Sequence, residues 1–494
     1  MNEPPFDATG GTDATPQAAD KPKRARKPRV VGGTEAREHA PPFDPNEEPL
    51  PAKYTEVSAA NQFAESKADS LKYVSEWGRW MEWDGIRWRR DNTLLAYDLI
   101  KKTCTRIADA ATYDKSISER QRAIVPLIYG SAKTISNVEK IAKASRVHAS
   151  KPDQWDQDIW ALNTPSGIID LTSGVLRPSE RTEHLTKVTG ASLGGDCPAW
   201  LGFLNVVTQG DRELEGFLKR ICGYCLTGST RDHAMFFLYG TGRNGKGTFL
   251  SVLQNVLGDY TQTAGMDVFT EDKGTKHPTE LAGLMGARMV CAQETEQGKR
   301  WAESRIKALT GGDKISARFM RQDFFEFVPQ FKIIIAGNHK PRLRNVDEAI
   351  KARMNLIPFT YTIPPEDRDP KLILKLEAEH DGILRWCVEG CLEWLEIGLK
   401  APKCVQDATA EYLSQQDTLA VWIDQECTRD AKSRGRTSAL YKSYSAYATN
   451  QGEYVISQES FKEKLESRGI RCASYGGYPT AFGIDLKKYD LLNQ

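Results

Sequence analysis

Apolar residues recur at two spacings along this chain, and the spacing separates helical from extended segments. An apolar position every three or four residues runs through TLLAYDLIKKTCTRIADAA and predicts an amphipathic helix. Residues 198–229 show the same periodicity twice. Two continuous apolar runs that end in glycine, HAMFFLYG and FKIIIAGN, are typical of buried parallel strands. The pattern therefore predicts an α/β protein.

The first 60 residues lack this patterning. They are rich in proline and poor in large apolar side chains, so they cannot offset the entropy of ordering and are predicted to be disordered. Six Lys and Arg side chains cluster between Lys21 and Arg29. This cluster is either a solvated tail or an electrostatic tether to DNA phosphates, and the sequence favours neither.

Tryptophans crowd the segment WGRWMEWDGIRWRRD that follows, beside several arginines. Such rings could stack on bases, but we favour a small sheet with a tryptophan core. The downstream segment WDQDIWALNTPSGIIDLTSGVLRP predicts short strands joined by turns at Pro165-Ser166-Gly167 and Ser173-Gly174. Asp156 and Asp158 within it are interpreted as turn or surface residues rather than as a metal pair.

Overall charge does not indicate a partner. The 494 residues carry 67 Lys and Arg against 66 Asp and Glu, a net charge of +1, so any nucleic-acid site must be local. No apolar run approaches membrane-spanning length and no leader precedes the globular part, so we expect a cytoplasmic protein without a membrane partner. The single C-x-x-C, Cys222 with Cys225, lacks a second ligand pair and is interpreted as buried structural thiols.

A glycine-rich loop lies between a predicted strand and a predicted helix in mid-chain. LYGTGRNGKGTFL follows an apolar strand, and apolar residues at helical spacing follow the loop. Glycines at 240, 242 and 245 free the backbone to surround phosphate oxygens, the helix N-terminus adds its dipole, and Lys246 supplies a charge. Gly247 stands where a hydroxyl residue is usual, so we assign Thr248 as the magnesium-side hydroxyl. The context predicts a nucleotide site.

Two later strands carry polar side chains at their ends. ARMVCAQETE leads from apolar positions to Glu294 and Glu296, which share one face if the chain stays extended. Asn338 closes the strand FKIIIAGN, where open α/β sheets place their ligands, and its amide could orient water or sense the γ-phosphate.

Basic residues between and after these strands suggest contacts with a phosphate backbone and with a second subunit. LTGGDKISARFMRQDFFEFVP predicts a protruding hairpin with a basic tip, drawn from Lys314, Arg318 and Arg321. Arg353 precedes the apolar strand LIPF and could stabilise charge on a γ-phosphate, often in a neighbouring subunit.

The order of these segments resembles the superfamily 3 helicases, and more closely the satellite-phage and poxvirus primase-helicase group. The carrying segments are LYGTGRNGKGTFL, RMVCAQETE, ALTGGDKISARF, IIIAGNHKP and KARMNLIPF, together with WALNTPSGIIDLTSGVL upstream. The chain departs from the group's pattern at Gly247 and at Lys351-Ala352-Arg353, where many relatives carry paired arginines.

The resemblance implies ATP and Mg²⁺ as cofactors and assigns roles. Lys246 takes the phosphate role, Thr248 and Glu294 the magnesium role, and Glu296 a second acidic position that activates water. Asn338 matches the sensor and Arg353 the arginine finger. The nucleotide loop then comprises Gly240, Thr241, Gly242, Arg243, Asn244, Gly245, Lys246, Gly247 and Thr248.

The resemblance also implies a P-loop NTPase fold, a mainly parallel sheet flanked by helices, within a longer organisation. The expected segments are a tail at 1–60, an α/β N-terminal domain at 61–195, a helical collar at 196–230, the ATPase motor with a helical lid at 231–400, a linker at 401–418 and a winged-helix domain at 419–494. Lys462 and Arg468 of the last domain are candidates for DNA phosphates, although a protein-docking surface is nearly as well supported.

The function expected from the resemblance is ATP-dependent DNA unwinding by a homo-hexameric ring in the replication of a phage, plasmid or mobile element. Its partners would be single-stranded and forked DNA, with a primase or replication initiator as a further partner, in the host cytoplasm. Two alternatives remain: a primase-helicase whose primer-synthesis residues are not recognisable, and an origin-binding protein that uses ATP for assembly. Because no primase constellation precedes the loop, we expect no self-sufficient primer synthesis.

Overall fold

The computed structural model describes residues 50–271, 279–293, 299–319, 323–343, 346–451 and 455–487. The chain divides into two units, 1–51 and 52–494, and all named helices and strands belong to the second. The basic cluster at 21–29 lies outside the described residues. None of the helices in the described part of the chain combines the length and the apolarity of a membrane span.

The first part of the described chain forms a four-stranded sheet packed with helices. Its elements are α1 (Glu56–Ser66), β1 (Leu71–Val74), β2 (Arg79–Trp83), β3 (Trp88–Arg90), α2 (Leu95–Tyr113), α3 (Glu119–Tyr129), α4 (Ala132–Lys143) and β4 (Ala149–Ser150), in the sheet order β3-β2-β1-β4. The side chain of Thr55 caps α1 by accepting from the Ser58 N–H. Ordered structure thus begins before the tail boundary expected at residue 60.

The tryptophans of this region are core residues, as the sequence analysis favoured. Trp80 and Trp88 are buried, and Trp88 packs in one apolar cluster with Val74, Met81 and Trp155. Buried indoles cannot stack on bases, so this cluster stabilises the sheet.

A three-stranded antiparallel meander follows, with β5 (Ala161–Thr164), β6 (Gly167–Asp170) and β7 (Val175–Arg177). Its turns lie where they were predicted. The carboxylates of Asp156 and Asp158 accept from the backbone N–H of Thr186 and Trp160 at 2.7 and 2.8 Å. Asp158 therefore makes a local turn contact, as the interpretation of the D-x-D as turn or surface residues expected, whereas Asp156 joins two segments 30 residues apart.

Two helices, α5 (Pro198–Val207) and α6 (Arg212–Leu226), lead into a five-stranded sheet. The next elements are β8 (Met235–Tyr239), α7 (Lys246–Leu257), β9 (Thr261–Thr263), α8 (Thr279–Ala282), β10 (Met289–Gln293), α9 (Glu303–Gly311), β11 (Ile315–Ala317), β12 (Phe325–Phe327), β13 (Lys332–Gly337), α10 (Glu348–Arg353) and β14 (Met354–Pro358). The sheet order is β14-β8-β13-β10-β9, and every neighbouring pair is parallel. The parallel sheet predicted from the apolar runs is confirmed.

Three helices follow the sheet: α11 (Leu372–Ala378), α12 (His380–Ile397) and α13 (Lys403–Gln416). The linker expected at 401–418 is wrong, because 403–416 are helical and pack on the sheet. Thr409 of α13 accepts from the Leu356 N–H of β14 at 3.0 Å, and the Tyr412 hydroxyl accepts from the Trp301 indole at 3.0 Å. Pro402 occupies the position before the first helical residue, where proline does not interrupt the helix.

The C-terminal residues form a separate apolar cluster around α14 (Thr418–Glu426), β15 (Cys427–Arg436), α15 (Thr437–Asn450), α16 (Gln458–Ser467), β16 (Cys472–Tyr475) and β17 (Tyr478–Leu486). This part of the chain contains three helices and a β16–β17 hairpin that turns at Gly476-Gly477. The strand β15 was not predicted. It pairs with β17 and places β17 at the centre of a three-stranded sheet.

Helices α6 and α12 approach closely enough to exclude a side chain at the crossing. A Cβ on Gly223 would lie 2.0 Å from the Cys391 nitrogen, and one on Gly390 would lie 2.1 Å from the Lys219 carbonyl oxygen. Cys222 and Cys225 of α6 are fully buried beside this contact, as the interpretation of structural thiols required. The two glycines allow α6, which precedes β8, to dock against α12.

We predict that Gly223→Ala destabilises the chain by about 1–3 kcal/mol, since a new methyl group must push the helices apart. Gly202→Ala is the matched control, because this helical glycine has no heavy atom within 4 Å of an added Cβ. It should leave stability unchanged or raise it by up to about 1 kcal/mol. Urea unfolding of both variants measures the difference, and equal stability would contradict the close helix crossing.

Candidate nucleotide site

The loop from Gly240 to Gly245 lies at the carboxyl edge of the parallel sheet, between β8 and α7. Gly242, Arg243 and Gly245 have φ of +105°, +53° and +84°, in the left-handed region that favours glycine. A Cβ on Gly240 would lie 1.9 Å from the Phe359 carbonyl oxygen, so only glycine fits there. The glycines are therefore required by backbone conformation and by close approach.

Lys246, the first residue of α7, is buried and turns its ammonium group back over this loop. Its Nζ donates to the Gly240 carbonyl oxygen at 2.8 Å, to Asn244 Oδ1 at 3.0 Å and to Asn338 Oδ1 at 3.2 Å. All three acceptors are neutral. Burial lowers the pKa of the Lys246 ammonium below its usual range. Among the residues that the structure describes, no carboxylate is a hydrogen-bond partner of this partly desolvated ammonium group.

Asn338 reaches the same point from a different strand. It follows β13 directly, and β13 is the neighbour of β8, with Gly337 opposite Tyr239. The side chain is exposed at the sheet edge apart from its contact with Lys246. The structure therefore brings together Lys246 and Asn338, two residues 92 positions apart that the sequence analysis singled out separately. The sensing role of Asn338 remains a prediction.

The remaining loop residues differ in exposure. Asn244 is buried and its amide donates to the Phe359 carbonyl, which fixes the loop to the end of β14. Thr241 and Arg243 are exposed, and Thr248 is half-buried in the first turn of α7. An added Cβ on Gly247 would have no heavy atom within 4 Å, so steric crowding does not explain the glycine at this position.

Glu294 and Glu296 lie outside the described residues. They follow β10, whose last residue, Gln293, pairs with Ala336 of β13 near the carboxyl edge. Within the described ranges, no group of three or more His, Cys, Asp or Glu side chains is placed to hold a metal ion. The magnesium role of Thr248 and Glu294 thus remains a prediction.

Arg353 lies at the opposite edge of the sheet from the loop. It immediately precedes β14, in which Met354 pairs with Met235 and Pro358 with Tyr239. Six residues separate Arg353 from Phe359 at the level of Gly240, or about 20 Å at ~3.3 Å per residue. Its guanidinium donates to Thr310 Oγ1 at 3.1 Å and to the Ala349 carbonyl at 2.7 Å. Arg353 cannot serve the loop of its own chain.

The hairpin predicted between the acidic and asparagine strands is present as β11 and β12, paired from Ile315 with Phe327 to Ala317 with Phe325. Arg318 begins the turn and lies over the exposed ring of Phe324, 4.8 Å from its centroid. Lys314 is exposed but lies at the base of the hairpin, before β11, rather than at its tip. Arg321 lies outside the described residues.

Arg468 and Lys462, the C-terminal candidates for DNA contact, differ in how closely each is paired with a carboxylate. Arg468 donates to both carboxylate oxygens of Asp417, at 2.7 and 2.6 Å, so its charge is already neutralised. This ion pair counts against the predicted DNA contact of Arg468. Lys462 is exposed, with its Nζ 3.9 Å from a Glu466 oxygen.

Two buried cations at the amino edge of the sheet were missed by the sequence analysis. Arg288 precedes β10 and donates to the carbonyl groups of Leu226 and Ala161 at 2.6 and 2.8 Å. Lys332 begins β13, donates to the carbonyl groups of Thr227 and Ser229, and lies over the Tyr224 ring. They join α6 and the meander to the sheet. In the sequence, Arg288 and Lys332 each stand beside an apolar run and resemble exposed residues at a strand end. No sequence signal therefore indicates that they are buried.

Comparison with known proteins supports the relationship suggested by the motif order. A family model described as "D5 N terminal like" matches residues 60–209, and a family of unknown function, DUF5906, matches residues 238–353. "Putative helicase L207/L206" of Acanthamoeba polyphaga mimivirus is 25% identical over 293 residues, covering 54% of this chain and 30% of that protein. "Putative helicase 022R" of Frog virus 3 (isolate Goorha) is 24% identical over 245 residues, covering 45% and 25%.

These matches support a relationship to phage and viral primase-helicases. The chain spans less than a third of the length of the two viral relatives. The solved structure titled "The A form apo structure of NrS-1 C terminal region-CTR" is 9% identical, with a TM-score of 0.44, and covers 85% of this chain and 98% of that one. A structural similarity at this level carries no argument about function.

We predict a pH-dependent stability that originates at Lys332. Burial lowers the pKa of the Lys332 ammonium from 10.5 to about 7. Between these values the unfolded chain holds a proton that the folded chain has released, so this residue makes the free energy of unfolding rise with pH. Lys332→Met removes the contribution. The stability of the wild type relative to the variant should therefore increase from pH 7 to pH 9 in urea unfolding.

The matched control is Lys403→Met, since Lys403 is an exposed lysine of α13. It should leave the pH dependence of unfolding unchanged. If the wild type and Lys332→Met differ by the same free energy at both pH values, Lys332 is charged in the folded protein and the prediction is wrong.

Proposed function

We propose that this chain is an ATP-dependent DNA helicase motor of superfamily 3, built on a P-loop NTPase core, in the replication of a phage, plasmid or mobile element. In this proposal it hydrolyses ATP between the subunits of a homo-hexameric ring and moves along single-stranded DNA. The observation that carries the proposal is the buried Lys246 ammonium, held among neutral oxygens at the end of a glycine loop.

The strand connections support a ligand at this position. From β8 the chain leads through α7 to β9 at one side of the sheet, whereas from β13 it leads through α10 to β14 at the other. Adjacent parallel strands whose connections diverge leave a crevice at their carboxyl ends, where open α/β sheets bind ligands. The glycine loop and Asn338 border this crevice between β8 and β13.

The residues fit a nucleotide phosphate. A buried ammonium with only carbonyl and amide acceptors is less stable than one paired with an anion, so a phosphate oxygen can replace the Gly240 carbonyl as a partner of Lys246. The N-terminus of α7 adds its dipole. Bound Mg²⁺, held by Thr248 and Glu294, would neutralise charge on the phosphate oxygens. Asn338 then orients the attacking water or the γ-phosphate, and Glu294 or Glu296 accepts the proton of that water.

The position of Arg353 supports hydrolysis between subunits. Because it lies about 20 Å from the loop of its own chain, along six residues at ~3.3 Å each, its guanidinium can stabilise γ-phosphate charge only in another copy. A ring in which the amino edge of one sheet faces the carboxyl edge of the next would supply this contact. We therefore assign Arg353 as the arginine finger of a neighbouring site.

Two further features are assigned to DNA. The β11–β12 hairpin, with Arg318 at its turn, is proposed to contact the strand that passes through the ring. The C-terminal succession of helix, strand, two helices and a β-hairpin fits a winged-helix domain.

Lys246→Ala should abolish ATP turnover, by about 10²–10³-fold or more, because it removes the preorganised charge that meets the phosphate. The fold should persist, as monitored by thermal unfolding. Steady-state phosphate release with single-stranded DNA and Mg²⁺ is the measurement. Lys375→Ala, an exposed lysine of α11, is the control and should retain turnover. Unchanged turnover in Lys246→Ala would refute the phosphate assignment.

Strand displacement on a tailed duplex tests the motor function itself. We expect displacement that requires ATP and fails in Lys246→Ala. ATP hydrolysis without displacement would instead indicate an ATP-dependent assembly protein at an origin, and labelled primer synthesis would indicate a primase-helicase.

Arg353→Ala should also lose hydrolysis, by about 10³-fold, and mixing it with Lys246→Ala should restore part of the activity. Restoration is expected because mixed rings form interfaces that combine an intact loop with an intact Arg353. Lys351→Ala, on the same helix and exposed, is the control and should remain active by itself. No restoration at any mixing ratio would contradict a finger that acts between subunits.

A further inference from the structure

The outer face of the C-terminal sheet carries three arginines and three aromatic rings. Strand alternation places Arg434 and Arg436 of β15 on the same face as Phe482 and Tyr478 of β17, since Arg434 pairs with Phe482 and Arg436 with Thr480. Ala481, on the other face of β17, is fully buried in the core. We call the outer set the arginine–aromatic face; it comprises Arg434, Arg436, Arg471, Tyr475, Tyr478 and Phe482.

Each arginine of this face lies over an aromatic ring. The guanidinium carbon of Arg436 lies 4.0 Å from the Tyr478 centroid, and that of Arg434 lies 4.4 Å from the Tyr475 centroid. Arg471 lies 4.4 Å from the Phe482 centroid. A stacked guanidinium keeps its in-plane N–H donors available and has lost much of its rotamer freedom. The three donors are therefore preorganised for a ligand.

The three arginines differ from Arg468 in their ionic partners. Among the residues that the structure describes, none of the three arginines forms an ion pair or a side-chain hydrogen bond, and all three are exposed. Arg468 of the same module is instead paired with Asp417. Tyr475 and Tyr478, at the ends of the hairpin strands, are 52% and 53% exposed. Such tyrosines beside unpaired arginines suit a polyanion that also offers aromatic surfaces.

We propose that the arginine–aromatic face binds single-stranded DNA, with guanidinium groups on successive phosphates and bases stacked on Tyr475 and Tyr478. Arg434 and Arg436 are two residues apart on one strand, about 7 Å. Exposed rings favour a single strand over a duplex, because paired and stacked bases present no free ring surface. This site is independent of the nucleotide loop and holds DNA outside the motor.

The test uses the full chain without nucleotide and a fluorescent single-stranded oligonucleotide, with affinity measured by anisotropy over a range of salt concentrations. Arg434→Gln with Arg436→Gln should weaken binding about tenfold. It should also reduce the slope of log affinity against log salt by about 1.4, since two phosphate contacts are lost at ~0.7 each. Lys403→Gln with Lys442→Gln removes two exposed charges, from α13 and α15, and should change neither quantity comparably.

The rings are tested separately from the charges. Tyr475→Leu with Tyr478→Leu should weaken binding about tenfold per stacked base, while Tyr475→Phe with Tyr478→Phe should retain it. Photocrosslinking of a bromodeoxyuridine oligonucleotide to the unmodified chain, mapped by mass spectrometry, should label Tyr475 or Tyr478. This second measurement does not depend on whether any variant folds.

Three outcomes would overturn the proposal: equal losses in the arginine and lysine pairs, tighter binding of the duplex than of the single strand, or crosslinks that avoid both tyrosines. The result is separable from the proposed motor function. In a Lys246→Ala background, the two arginine substitutions should weaken DNA binding as much as they do in the wild-type chain. In the wild-type background, the same two substitutions should leave ATP turnover measured without DNA unchanged.

Discussion

A buried ammonium group among neutral oxygens is the constraint on which this structure depends. Within the described part of the chain, the hydrogen-bond partners of Lys246 Nζ are three neutral oxygens, and burial lowers the pKa of this group. Three separate elements supply those oxygens: the end of β8, the glycine loop and the end of β13. The parallel sheet, the left-handed loop residues and the close approach of Phe359 to Gly240 together fix this arrangement. A phosphate is the group that would complete it.

The two edges of the sheet carry different polar residues. The carboxyl edge carries the loop and Asn338, and the amino edge carries Arg353 together with the buried cations Arg288 and Lys332. Arg288 and Lys332 join the sheet to α6 and to the meander, so the amino edge is rigidly attached to the preceding domain. Arg353 lies on this edge, far from the glycine loop of its own chain. In the proposed ring it would contact the loop of a neighbouring subunit.

Local sequence predicts much of the parallel-sheet region. The runs HAMFFLYG and FKIIIAGN identified two central strands, and the glycine loop between strand and helix identified the site, because each signal lies within a few consecutive residues. The contact of Lys246 with Asn338 follows once these strands are neighbours. The magnesium role of Glu294 remains a prediction, since Glu294 and Glu296 lie outside the described residues.

Features that depend on tertiary contacts were not predictable. The strand β15 reads CTRDAKSRGR, without alternating apolar residues, and is a strand because β17 pairs with it. The helix α13 lies in a segment predicted to be a linker, although Val405, Ala408, Tyr412 and Leu413 form a buried stripe. In the sequence Arg468 resembles a free cation, because its pairing with Asp417 depends on tertiary structure. The arginine–aromatic face likewise depends on the register of the sheet. The most direct test of the central claim is calorimetric titration of the full chain with a non-hydrolysable ATP analogue, with and without Mg²⁺. We expect one saturable site per chain whose affinity Mg²⁺ strengthens, whereas folded protein with no magnesium-dependent affinity would contradict the account.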